Sequence, residues 1–265
     1  MNLSKTSRVI FASASLALSI MPHALADSAP TLDDTLVAII ADTHVNGLPP
    51  ERLPGKYHQA DYLRKTVEDI LSLRPRYAEE SQVPGRIVTR VDTPHCLFLL
   101  LDTVNDDPIG FGEATRPSRI GDAQFEWLDA ELKAASKPVI VCGHHGPTEN
   151  NNGLAGFLLG KPSFKAYFHG NWHTWSPSYT RVPGNNPGII PRIGFPSTGH
   201  WGDIGFALMR TFPDRAEIEL RQNDLFGERG PDSAEAYRDA VVKDRAGLTV
   251  TIPFDSARPE ADAVP

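Results

Sequence analysis

The chain has 265 residues, with 26 Lys and Arg against 33 Asp and Glu, a formal net charge of −7, and two cysteines. That acidic balance, without a Lys/Arg cluster, excludes a protein that tracks nucleic-acid phosphates over a basic face. Two cysteines are too few for a disulfide-built scaffold, and a chain of this length can bury a substantial core in one large domain.

The amino-terminal segment reads as a targeting signal. Lys5 and Arg8 form a positive stretch without acids, an apolar run follows from Val9 to Met21, and Ala24-Leu25-Ala26 gives the small-x-small cleavage pattern. This is the three-part layout of a secretory signal peptide, and its apolar run is too short to span a bilayer. Residues 1–26 are therefore expected to be removed, residues 27–257 to form the domain, and 258–265 to be a disordered tail. The mature chain would keep 24 basic against 33 acidic residues, a formal −9, and be periplasmic or secreted. Cys96 and Cys142 both sit in apolar runs. A disulfide between them and two buried free thiols both fit an oxidising compartment.

Leu36 to Ala41 (LVAIIA) has the length and β-branched content of a buried strand, and it runs straight into Asp42-Thr43-His44. After a Pro/Gly-rich loop, Leu63, Val67, Ile70 and Leu71 have helical spacing, and Arg74-Pro75 closes that helix. A strand–helix unit of an α/β sheet normally returns at once to another buried strand. Here YAEESQVPG follows instead, so the expected strand is missing. Strand-like runs resume at Arg86 to Val91 and at Cys96 to Leu101, the latter entering Asp102-Thr103. Gly121-Asp122 starts a helix with an apolar stripe of Phe125, Leu128 and Leu132. Pro138 to Cys142 is a further buried strand delivering Gly143-His144-His145, and Ala166 to His169 enters Gly170-Asn171-Trp172-His173. Three more strand pieces are expected at 189–195, 206–210 and 217–220, and a short helix at 233–242.

Three strand ends thus deliver Asp or His: Asp42 with His44, His144 with His145, and His173. Ligands in open α/β sheets sit beyond the carboxyl ends of the strands. Asp42 and His44 are two apart, so on an extended chain their side chains share a side. One carboxylate with several imidazoles suits a divalent transition metal such as Zn, Fe or Mn.

The strand into Asp42-x-His44, the strand into Leu101-Asp102-Thr103, the helix around Gln124 to Leu132, Pro138 through Gly143-His144-His145-Gly146-Pro147, and Phe168-His169-Gly170-Asn171-Trp172-His173 together resemble the calcineurin-like metallophosphoesterases, the group of purple acid phosphatases and cyclic nucleotide phosphodiesterases. The resemblance covers about residues 36 to 210. It implies a two-sheet α/β sandwich flanked by helices and a metal site that hydrolyses small phosphate esters. By position, Asp42, His44 and His173 match ligands of one metal. His144 matches a ligand of a second, and Asn171 stands where that second metal would have a histidine. His145 and His200 match the wall of the site that faces substrate. Two family blocks are missing: the Gly-Asp block with the metal-bridging aspartate, and the Gly-Asn-His block. Both belong in the stretch where the expected strand is absent, so the fold is expected to be truncated there and to hold one metal per chain rather than two. The other reading is a degenerate, non-catalytic relative that binds but does not hydrolyse.

Amino-terminal sequencing of the protein recovered from outside the cytoplasm should begin near Asp27. Recovery of an intact Met1–Ala26 segment on exported protein would contradict the targeting assignment.

Overall fold

The computed structural model describes residues 10–11, 36–41, 68, 80–82, 89–103, 120–148, 153–182, 187–197, 202–226, 242–245 and 247–255. Among these the first helix expected from the sequence is represented by Glu68 alone, and the helix expected at 233–242 by Val242, which opens a helical turn to Arg245.

Two sheets carry the architecture. The first has strand order β1 (Ile10–Phe11), β2 (Leu36–Ile40), β10 (Gly202–Thr211), β11 (Arg215–Phe226) and β12 (Thr249–Pro253). The second has order β3 (Glu80–Gln82), β4 (Thr89–Asp92), β5 (Leu97–Leu100), β6 (Val139–Gly143), β7 (Phe164–His169), β9 (Gly188–Gly194) and β8 (Ser176–Val182). With helices α1 (Asp122–Ala134) and α2 (Leu154–Leu159), this is the mixed α/β two-sheet sandwich flanked by helices that the sequence implied. In the first sheet, β2 pairs antiparallel with β10 and, over two residues, parallel with Ile10–Phe11. Among the described residues no strand from between β2 and β3 joins that sheet.

Within the second sheet, β5, β6, β7 and β9 run parallel, so their carboxyl ends share one edge. The residues that make these strands are nearly continuous apolar runs, as expected for strands covered on both faces. One face of the second sheet packs on the first through Phe98, Ile140, Phe168 and Ile193 against Ile39, Met209 and Ile218. The opposite face receives α1 and α2 through Leu128, Leu132, Leu154 and Leu158 against Leu99, Val141 and Tyr167. The predicted stripe of α1 holds for Leu128 and Leu132. Phe125 is only partly buried, and its ring meets Phe157 of α2 edge-on at 5.3 Å.

Five elements depart from expectation. β1 lies in the stretch read as a signal peptide, and β3 lies within YAEESQVPG, where no strand is expected from the sequence. β8 and β12 carry no long apolar run, and α2 is apolar but only six residues long. β8 and β12 lie at sheet edges, where alternate residues face solvent.

Cys96 and Cys142 are both buried and free. Register explains why. Leu97 pairs with Val139 and Leu100 with Cys142, so Cys96 lies about four residues down the strand from the row of Cys142. At about 3.3 Å per residue that is about 13 Å, outside the roughly 4.4–6.8 Å that a disulfide requires. Burial pushes the Cys96 thiol up to about 12, against a smaller opposing effect of its hydrogen bond with Thr93, and burial pushes Cys142 up as well. Neither thiol should react with a thiol-specific reagent at neutral pH in the folded protein. Both should react once the chain is unfolded in denaturant. A titre of zero free thiols in denaturant would show a disulfide.

Candidate metal centre

The carboxyl edge of the parallel strands positions the candidate residues. Gly143 and His169 are register partners on β6 and β7, so His144 and Gly170 begin neighbouring loops at that edge. Leu100 pairs with Cys142, which brings Leu101-Asp102-Thr103 to the same edge. Phe195 N–H donates to His169 O at 2.9 Å, placing the exit of β9 alongside. Asp42, His44 and His200 lie outside the described residues. Ala41, the residue before Asp42, makes a parallel bridge to Ser197, and Ser197 makes a second bridge to Ile204.

Ser197 and Asp203 join the end of β2 to the loop of His173. Ser197 N–H donates to Asp203 O at 2.9 Å, and Asp203 N–H donates to His173 O at 2.7 Å. His173 itself is 3% exposed. Both Asn171 (φ 63°) and His173 (φ 51°) occupy the left-handed region, which costs on the order of 1–2 kcal/mol per non-glycine residue. Asn and His are both among the residues that tolerate this conformation best. Short-range bonds hold the turn: Trp172 N–H to Gly170 O at 2.7 Å and Thr174 Oγ1 to Trp172 O at 3.0 Å.

A buried carboxylate supports that loop from behind. Asp203 is 2% exposed and accepts from Trp175 N–H at 2.8 Å, Gln222 Nε2 at 3.2 Å and Arg245 Nη1 at 2.6 Å. Preceding it, Gly202 has φ 88°, and a Cβ there would collide with the carbonyl oxygen of His173. The Gly202-Asp203 pair therefore allows the His173 loop to lie directly on β10. No local pattern marks this role, because the partners of Asp203 are distant in sequence.

His144 and His145 lie edge to face, with ring centroids 4.7 Å apart. Thr103 fixes His145 twice: its Oγ1 accepts from His145 N–H at 3.0 Å, and its carbonyl oxygen lies 2.9 Å from Nδ1. A carbonyl can only accept, so Nδ1 carries the proton and neutral His145 has its lone pair on Nε2. Tyr167 Oη donates to His145 O at 3.0 Å. It reaches there because residue 143 is glycine; a Cβ at that position would collide with Tyr167 Oη and crowd Thr103. Gln124 of α1 clasps the backbone of Asp102, accepting from its N–H at 3.0 Å and donating to its carbonyl at 2.8 Å. Asp102 is thus buried with both of its main-chain groups held. His169 donates from Nδ1 to Gly170 O at 2.9 Å and packs edge-on against Trp172 at 5.6 Å.

Among the described residues no three His, Cys, Asp or Glu side chains gather closely enough to hold a metal ion. His144, Asn171 and His173 carry suitable donor atoms on neighbouring loops. Their imidazole and amide donors are of the kinds a divalent transition metal accepts.

Replacing Asp203 with Ala leaves the buried Trp175 N–H and Gln222 amide without their acceptor. A loss of about 3–5 kcal/mol of folding stability is expected, as when a buried charged partner is removed. Arg245→Ala, whose side chain is 38% exposed, should cost less. Denaturant midpoints of the two variants measure the difference, and equal midpoints would contradict it.

No family model matches the chain, and no curated protein matches it. Among solved structures it is similar to a dimetal phosphatase from Danio rerio, at 14% identity and a TM-score of 0.45, over 83% of this chain and 73% of that one.

Proposed function

We propose that this protein is an exported, metal-dependent phosphoric-ester hydrolase that holds one divalent transition metal per chain through Asp42, His44 and His173. The observation that carries this reading is the link from Ala41 through Ser197 and Asp203 to His173. It ties the strand that ends on Asp42 to the loop that presents His173, at the sheet edge that also bears His144 and His145. When bound, such a metal supplies Lewis acidity and lowers the pKa of a water. The chain's own residues orient the ester and manage its protons. His145, with its Nδ1 proton engaged by Thr103, presents Nε2 to the site either as a proton acceptor or, once protonated, as a donor to a phosphate oxygen. The acidic chain favours a small phosphate ester over a nucleic acid.

Stoichiometry follows from the donor set. Asn171 offers one amide oxygen, a weak ligand for zinc or iron beside imidazole. Without a bridging carboxylate a second cation meets the first unscreened. Two unit charges 4 Å apart repel by about 4 kcal/mol at an effective dielectric of 20, and two divalent ions by roughly four times that. A second reading is a non-catalytic relative that binds without hydrolysing; it is favoured by Asn171, a neutral amide where the resemblance puts a histidine.

Elemental analysis of the purified protein should find at most one tightly held transition metal per chain, lost in Asp42→Ala and His173→Ala. Hydrolysis of a chromogenic phosphate ester should be weak and should disappear with the metal. Metal-loaded protein without any hydrolysis would support the binding reading. Two metals per chain with vigorous turnover abolished by His144→Ala would overturn the single-metal assignment.

A further inference from the structure

A separate cavity of about 240 Å³ opens between the edge strand β12 and the β8–β9 end of the second sheet. Its walls are largely apolar, with Tyr179 and Ile193 on one side and Val250 and Ile252 on the other. None of His144, His145, Asn171 or His173 lines it, so it is not the candidate metal centre.

The charge of this lining runs against the charge of the chain. In a protein of net charge −7, Lys165 lines the cavity, and no carboxylate is among its described lining residues. Arg192 contributes main chain there: one residue from Ile193, its side chain projects to the other face of the sheet with that of Ile190, where Nε donates to Ser178 Oγ at 3.2 Å and the guanidinium lies 4.8 Å from the centre of the Trp172 ring. No carboxylate among the described residues pairs with Lys165. An ammonium beside an apolar, partly enclosed surface is satisfied best by an anion that brings its own apolar body.

We propose that this cavity binds a small amphipathic carboxylate, with its hydrocarbon part against Ile193 and Ile252 and its carboxylate on Lys165. The site does not depend on the metal reading. Strand β9 connects the cavity to the candidate metal centre, since Ile193 faces the cavity while its neighbour Arg192 stacks on Trp172, and this makes Trp172 a reporter of occupancy. At 43% exposure Trp172 also has room to respond.

The test is a calorimetric titration of the full-length protein with decanoate, with decanol as the uncharged control and Trp fluorescence recorded in parallel. Saturable decanoate binding that exceeds decanol binding is expected. Lys165→Gln should weaken decanoate about tenfold, the worth of one charge-assisted hydrogen bond, and leave decanol unchanged. Val250→Trp, on the same face of β12 as Ile252, should fill the cavity and abolish both, with the thermal unfolding midpoint confirming that the variant folds. Absence of saturable binding, equal affinity for decanol, or decanoate binding unaffected by Lys165→Gln or Val250→Trp would each overturn the proposal.

Discussion

The carboxylate of Asp203 lies inside the protein with a backbone N–H, an amide and a guanidinium directed at it, while its own main chain bonds both Ser197 and His173. A charge taken out of water is tolerated only when its lone pairs are answered, and removing one partner is costly. The arrangement therefore couples three things that would otherwise be independent: the start of β10, the turn that presents His173, and the helical turn bearing Arg245. Because Ser197 also bridges to Ala41, the first sheet and the site loops share one set of constraints. The left-handed residues Asn171 and His173 persist because these contacts over-determine the turn, in the manner of strained residues at functional sites.

The second sheet contributes in a different way. Its parallel strands are driven together by apolar burial on both faces, and register then does the positioning. Once Gly143 is opposite His169, the loops that follow must begin side by side. Two small details refine this. Gly143 lets Tyr167 and Thr103 close on the backbone of His145, and Gln124 pins the exit of β5 by bonding both main-chain groups of Asp102. Helix α1 thus acts on the site through one buried polar side chain amid its apolar stripe.

Much of the framework was legible in the sequence because its signals are local. LVAII, LFLL and VIVCG are uninterrupted apolar runs, and Leu128 with Leu132 repeats at helical spacing. The strand ends, and hence His144, His145 and His173, followed from those runs. What escaped had no local signal. In SPSYTRV the only buried residues are Thr180 and Val182, and in TVTIP only Ile252, so each reads as loop until a neighbouring sheet is present. LAGFLL is shorter than the stretch over which helical periodicity can be judged. Gly202, Asp203 and Ser197 escaped for a further reason. The side-chain partners of Asp203 lie 28, 19 and 42 positions away, a juxtaposition that only the tertiary structure creates. The expected helices after β2 and after β11 lie almost wholly outside the described residues.

The separation of Cys96 from Cys142 reaches beyond their reactivity. With its thiols held in distant rows of the second sheet, the folded state gains nothing from oxidation. Reaching the native state therefore needs no disulfide-forming catalyst, and the folded state is indifferent to the redox poise around it. The exposure to oxidants is confined to the interval before β5 and β6 pair. A bridge formed in that interval, within one chain or between two, would hold these strands out of register and keep the parallel edge that presents His144 and His173 from assembling.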